Sequence, residues 1–285
     1  MSRNRERTGG VHQHDTSPPP QVMQDESGGG FSFVVPTEFV ELPSQGRFYP
    51  EGHPLHGEDS VEIRQMTAKE EDMLTSRTLL KKGVALDRVI ENLIVDKRID
   101  PNSLLIGDKN AIIIATRVTG YGNDYTTKIT CPACGVLQEY SFDLNKARIH
   151  HGVGGEEIDV TSNEDGTFNL TLPRTQVVVT FRLLTGNDEK RLLSGVEADR
   201  KQKTHERSIT RQIVNIVTAV NESTHPDAIN YLVQNIPAVD ARHLRLAYKL
   251  VAPNIDLTQE FVCEECDVEH DLEVPLNADF FWPDR

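Results

Sequence analysis

No stretch of this 285-residue sequence is apolar over the roughly 18 residues that a membrane-spanning helix needs, so no membrane partner is expected. Positive charge is scarce: 30 Lys and Arg stand against 44 Asp and Glu, a formal net charge of −14. An anionic membrane or a nucleic acid would repel such a chain, which argues against both as general partners. Met1 to Gly10 holds three arginines with no apolar stretch after them, and so does not read as a secretory signal. Motifs for catalysis are missing too. There is no H-E-x-x-H, no G-x-x-x-x-G-K-[ST], no G-x-S-x-G and no EF-hand loop. Aromatics are few at 6%, yet 37% apolar residues suffice to bury a core.

What is present begins with a tail. Residues 1–30 are rich in Gly, Pro and Ser and poor in apolar side chains, so they read as disordered. His12, His14 and Asp15 resemble metal ligands on paper but fall in this solvated segment. From Phe31 a strand-like apolar run begins. Beyond it the chain repeats itself. With a constant shift of 132, Asp108, Ala115, Asp124, Thr126, Cys131, Cys134, Val136, Leu144 and Asn145 match Asp240, Ala247, Asp256, Thr258, Cys263, Cys266, Val268, Leu276 and Asn277. Upstream, Val61–Thr67 resembles Val179–Thr185, and Leu42-Pro43 resembles Leu172-Pro173.

These matches predict an α+β protein built by internal duplication of a strand–helices–strand–zinc-knuckle–strand unit. The first repeat spans 31–150 and the second 151–285. Thr67 with Glu70 forms a capping box at a helix start. Leu86, Val89, Ile90, Leu93 and Ile94 have helical spacing, and Ile209, Ile213, Ile216, Val217 and Val220 form the counterpart. A third helix in each half takes Asp108 or Asp240 as N-cap and stops at Gly120 or before Pro253. Between the halves, Asp165-Gly166 marks a hairpin turn.

All four cysteines lie in two C-x-x-C units, Cys131-Pro-Ala-Cys134 and Cys263-Glu-Glu-Cys266, each between two strands. A hairpin tip with two thiolates offers half of a tetrahedral shell, and two tips supply the four sulfurs of a closed structural Zn2+ site. Gly135 suits the positive φ that such a turn demands; Asp267 at the matching place tolerates it less well. Disulfides would require an oxidising compartment, and a redox C-x-x-C belongs beside a βαβ unit. An iron–sulfur centre and free thiols stay open as alternatives. One ion shared between the knuckles would cross-link the two repeats.

Other candidates are weaker. His53 with His56, and His150-His151 beside Glu156-Glu157, have ligand-like spacing but lie in Pro- and Gly-rich loops. Glu70-Glu71 sits in a first helical turn, where negative charge complements the dipole. Two aromatic segments are candidate partner contacts: Arg47, Phe48 and Tyr49 in an inserted loop, and Phe281 with Trp282 near the chain end. Each could instead cover the chain's own core.

The segment Phe39-Val-Glu-Leu-Pro-Ser-Gln-Gly-Arg-Phe-Tyr-Pro50, the Met66–Asp72 helix start, the Gly107–Ile112 helix start and Cys131-Pro-Ala-Cys134-Gly135 together resemble baseplate hub proteins of T-even-like, contractile-tailed bacteriophages. The resemblance covers residues 36–145 well and the second repeat mainly through its C-x-x-C. It implies a non-enzymatic structural or assembly component of the tail baseplate, partnered by other tail proteins, in the virion or in the host cytoplasm during assembly. A cytoplasmic zinc-ribbon adaptor or nucleic-acid-associated factor is the alternative. Glu264, Glu265, Asp267, Glu269 and Asp271 around the second knuckle count against it. A metal-dependent hydrolase using the histidines lacks every expected motif.

Overall fold

The computed structural model describes residues 22–24, 31–33, 35–152, 158–202, 205, 207–274 and 278–281. Two compact units result, Met1–Pro36 and Thr37–Arg285. In the first, β1 (Val22–Gln24) pairs antiparallel with β2 (Phe31–Phe33). The strand expected at Phe31 is present, whereas Val22–Gln24 departs from the disordered reading of residues 1–30. The remainder of that tail, His12 and His14 included, lies outside the described residues.

The second unit opens with β3 (Thr37–Glu41) and β4 (Ser60–Arg64), paired antiparallel with Val40 opposite Val61. Alternation sends Val40, Val61 and Ile63 inward. At Thr67 the chain enters α1 (Ala68–Thr75) through the expected capping box, with the Thr67 N–H donating to Glu70 Oε2 at 2.9 Å. After α2 (Arg77–Lys82), the helix α3 (Ala85–Leu93) buries Val89, Ile90 and Leu93 as its spacing predicts. The long α4 (Ile106–Tyr121) passes the expected stop at Gly120 and is capped by Gly122. Then β5 (Asp124–Thr130) and β6 (Leu137–Asp143) form a hairpin, followed by β7 (Arg148–His150).

Beyond the connector, β8 (Val160–Ser162), β9 (Thr167–Thr171) and β10 (Val178–Arg182) form a meander whose first turn holds Gly166 at φ 77°. Here α5 (Gly186–Lys201) begins with its own capping box, the Thr185 N–H donating to Asp188 at 2.9 Å. Next, α6 (Ser208–Ile216) ends earlier than its apolar stripe suggests. Val217 and Val220 are not helical: β11 (Val217–Val220) pairs with β10 and completes the order β11-β10-β9-β8. A Val-Thr-Ala-Val run rich in β-branched residues fits a pleated strand better than a helix once β10 offers an edge. After α7 (Pro226–Asn235), α8 (Ala238–Val251) stops before Pro253 as expected. Last come β12 (Asn254–Asp256), which pairs with β7, and the hairpin of β13 (Thr258–Val262) and β14 (Glu269–Glu273), followed by a 3-10 turn at Ala278–Phe281.

Asp108 and Asp240 are not N-caps. Leu105 and Pro237 occupy those positions, and each aspartate is the third residue of its helix. Their carboxylates hold distant loops instead. Asp108 accepts from the Ser44 N–H at 2.9 Å, the Ser44 hydroxyl at 2.6 Å and the Tyr49 hydroxyl at 2.7 Å. Asp240 accepts from the N–H groups of Arg174 and Thr175 at 2.8 and 3.0 Å and from the Thr175 hydroxyl at 2.8 Å. Both loops follow a Leu-Pro pair.

One hydrophobic core draws on both halves of the chain, joining Ile63, Leu93 and Ile112 with Phe181, Ile216 and Leu244. Segments also cross over. A Cβ at Gly107 would lie 2.0 Å from the Pro253 carbonyl oxygen, so only glycine permits α4 to approach the second half here. Conversely the buried Arg117 of α4 donates to the Phe280 carbonyl at 2.7 Å and to those of Gly122 and Asp124 at 2.8 and 3.1 Å. Lys109 bridges Asp87 at 3.0 Å and Glu189 at 2.8 Å, tying α3 and α4 to α5. The mixed α+β class is as expected.

Candidate metal centre

Each C-x-x-C unit occupies the turn of a hairpin, and the two turns have the same backbone pattern. The Cys131 N–H donates to Val136 O at 2.9 Å and the Gly135 N–H to Cys131 O at 2.9 Å; Cys263 to Val268 and Asp267 to Cys263 do likewise at 3.1 and 3.0 Å. Gly135 has φ 74° and Asp267 φ 52°, the left-handed backbone expected at both places. Seven-residue β5 and five-residue β13 carry the tips to a common point, where all four sulfurs lie within 4.8 Å of one another. Cys131 Sγ is 3.8 Å from Cys266 Sγ, and Cys134 Sγ is 3.7 Å from Cys263 Sγ.

These distances are too long for disulfides, which need about 2.05 Å. They match the edge of a tetrahedron around an ion bound at about 2.3 Å from each sulfur, which is about 3.8 Å. The donor set therefore fits a four-coordinate metal ion such as Zn2+. Electrostatics points the same way. The Cys131 thiol is lowered to about 6, chiefly because the backbone N–H of Cys134 faces its sulfur. Cys266 is pushed up to about 12: the Val268 N–H alone would lower it, but burial and the three neighbouring sulfurs outweigh that bond. Four thiolates this close repel one another unless a cation sits among them.

Around the sulfurs, Cys131, Cys263 and Phe261 form a small buried cluster separate from the main core. The ring of Tyr140 meets Phe142 and Phe261, each at 5.0 Å, while its hydroxyl donates to Glu260 O at 2.8 Å. Gln259 straps the base of the hairpins together. Its Nε2 donates to Asp143 O at 2.8 Å and its Oε1 accepts from the Asp143 N–H at 3.1 Å. Nearer the tips, the Glu264 N–H donates to Gln138 Oε1 at 3.2 Å. Sequence reasoning missed Tyr140, Gln259 and Gln138. Only the alternation in Tyr140-Ser-Phe142 hints at one of them.

The aromatic candidates lie elsewhere. Tyr49 is 4% exposed, its hydroxyl bound to Asp108 and its ring stacked 4.4 Å from that of His53, so it is a core residue and not a partner contact. Phe48 packs 5.5 Å from Phe168, and Arg47 lies over the Phe48 ring while bonding the His151 carbonyl at 2.5 Å. The loop thus covers the core, the second of the two expectations for it. Phe281 is buried too, against Phe280, while Trp282 lies outside the described residues. No histidine joins a metal-ligating group among the described residues. His53 bonds Ser103, and His150 and His151 face the carbonyls of Ala252 and Pro43.

Among the described residues no helix is long and apolar enough to cross a membrane. No curated protein and no solved structure matches the chain. A family model, T4 bacteriophage base plate protein, matches residues 35–282 and so takes in both hairpins and all four cysteines. The chain belongs to the T4 bacteriophage base plate protein family.

Proposed function

We propose that the chain is a non-enzymatic structural component of the hub region of a phage tail baseplate, working among other tail proteins in the virion. The family match over residues 35–282 carries this reading. The all-cysteine shell supports it, because four thiolate ligands leave no open position at which a tetrahedral ion could bind substrate.

The second part of the proposal is that residues 31–150 and 151–285 are repeats joined by one Zn2+ at Cys131, Cys134, Cys263 and Cys266. Several correspondences support it. Ile63 and Phe181, Ile129 and Phe261, and Phe142 and Val274 occupy matching places, and all pack in the apolar clusters. Both capping boxes are paired with an arginine from the preceding strand: Arg64 lies 3.7 Å from Glu70, and Arg182 lies 2.7 Å from Asp188. Asp108 and Asp240 hold matching loops. The exposed acids Glu264, Glu265, Asp267, Glu269 and Asp271 disfavour nucleic acid at the second tip.

Quantitative mass spectrometry of purified virions tests the structural role. The chain is expected in mature particles at a fixed ratio to other baseplate proteins. Its presence only in assembly intermediates of infected cells would make it an assembly factor instead.

A further inference from the structure

A cavity of about 830 Å3 opens between the start of α4 and the C-terminal half of α8. Leu183, Leu246 and Leu250 give it an apolar lining, Arg245 and Lys249 supply its charge, and Gln212 and Asn254 are among its neutral polar groups. Among the described residues no acidic side chain lines it, although acids outnumber bases 44 to 30 in the chain. Arg245 Nε donates to Ala241 O at 3.3 Å, and its terminal nitrogens have no protein partner among the described residues. Leu246 is 45% exposed. The first turn of α4, with its partial positive charge, borders the same space.

The complementary surface is on the same chain. Around the second knuckle Glu264, Glu265 and Asp267 are exposed, and beside them Val268, Val136 and Leu137 leave apolar surface uncovered. This tip is acidic with apolar flanks; the cavity is basic with apolar walls. The five residues of β13 span about 17 Å, so a chain's own tip stands at the far end of a hairpin from the cavity edge at Asn254.

We propose that the cavity receives the acidic Cys263–Asp267 tip of a second copy of this chain. Tip and cavity are different patches, so copies either exchange tips reciprocally across a twofold axis, closing a dimer, or add head-to-tail into a ring or filament. Carboxylates of Glu264 and Glu265 pair with Arg245 and Lys249, and the flanking valines cover Leu246 and Leu250. The proposal goes beyond the baseplate reading and does not depend on it.

Sedimentation velocity of the full-length, metal-loaded chain tests it over a concentration series at low and high salt. Self-association is expected, and it should weaken as salt rises. Arg245→Glu with Lys249→Glu in one variant, and Glu264→Lys with Glu265→Lys in another, should each weaken association at least about tenfold by placing like charges together. An equimolar mixture of the two should recover it, since the reversed cavity then meets the reversed tip. Circular dichroism and bound metal confirm that each variant keeps its fold and its site. A wild-type chain that stays monomeric would overturn the proposal. So would variants that associate like wild type, or a mixture that associates no better than its components.

Discussion

Removing the metal with a chelator, or replacing Cys131 with serine, should release the two hairpin tips while leaving the helical body folded. The magnitude follows from the size of the two apolar clusters. Among the described residues, the buried cluster around the sulfurs is Cys131, Cys263 and Phe261, with Ile129, Tyr140 and Leu272 partly buried against it, too little to hold two tips against their own repulsion. A structural Zn2+ site contributes on the order of 10 kcal/mol, so an ion bound there would supply most of the local stability. The main core is separate and includes residues of both halves, from Val40 to Phe281. Hydrogen exchange should therefore rise at least about 100-fold at the tips, since even ~3 kcal/mol is two powers of ten. Amides from 130 to 137 and from 262 to 269 are the ones affected. Those of α4 and α8 should keep their protection. At the hairpin bases Tyr140 and Gln259 retain their cross-links, so the loss should fade away from the tips. Unchanged exchange at the tips after complete metal removal would mean that packing, not an ion, holds them.

The second large effect is expected at Asp108. It is fully buried and satisfies three donors, two from Ser44 and one from Tyr49. Asp108→Ala leaves all three without an acceptor in an interior that water does not reach. Each unsatisfied group costs about 1–3 kcal/mol, so a total loss of about 3–5 kcal/mol is expected. The loop from Leu42 to Glu58 would lose its tie to Asp108 and keep the bond that the Tyr49 hydroxyl accepts from the Leu105 N–H at 3.1 Å. Urea unfolding of the variant should show a correspondingly lower midpoint. A loss below about 1 kcal/mol would show that the loop is held by its apolar contacts instead.

The same pair of aspartates gives opposite responses to pH. Burial raises Asp108 above its usual 3.8, despite its hydrogen bonds. The folded state therefore binds the proton more tightly than the unfolded state, and this group's contribution falls as pH rises from 3.8 through the raised value. Asp240 is lowered: burial alone would raise it, but the bonds from Arg174 and Thr175, with His243 nearby, prevail. Its contribution is complete above 3.8 and is lost as pH falls through the lowered value.

Local patterns are legible in the sequence, and long-range ones are not. The C-x-x-C pairs announce a hairpin tip because their chemistry needs only four consecutive residues. The stripe of α3 and the Thr67–Glu70 capping box are likewise contained within a turn or two of helix. Tyr49 reads wrongly as a partner contact because its own partner, Asp108, lies 59 residues away, and an exposed aromatic loop looks the same on paper as a buried one. The strand β11 reads as helix because Val217 and Val220 continue the spacing of Ile213 and Ile216; only the edge of β10 decides between the two forms. Asp108 looks like an N-cap because acids favour the first turn for their own reasons. Gly107 carries no visible signal, since its requirement comes from Pro253 in the other half.

X-ray absorption at the metal edge, together with native mass spectrometry of the intact chain, tests the central claim most directly. One Zn2+ per chain is predicted, with four sulfur neighbours at about 2.3 Å and no nitrogen or oxygen in the shell. A metal-free chain with four free thiols or two disulfides, or an ion with fewer than four sulfur ligands, would contradict it.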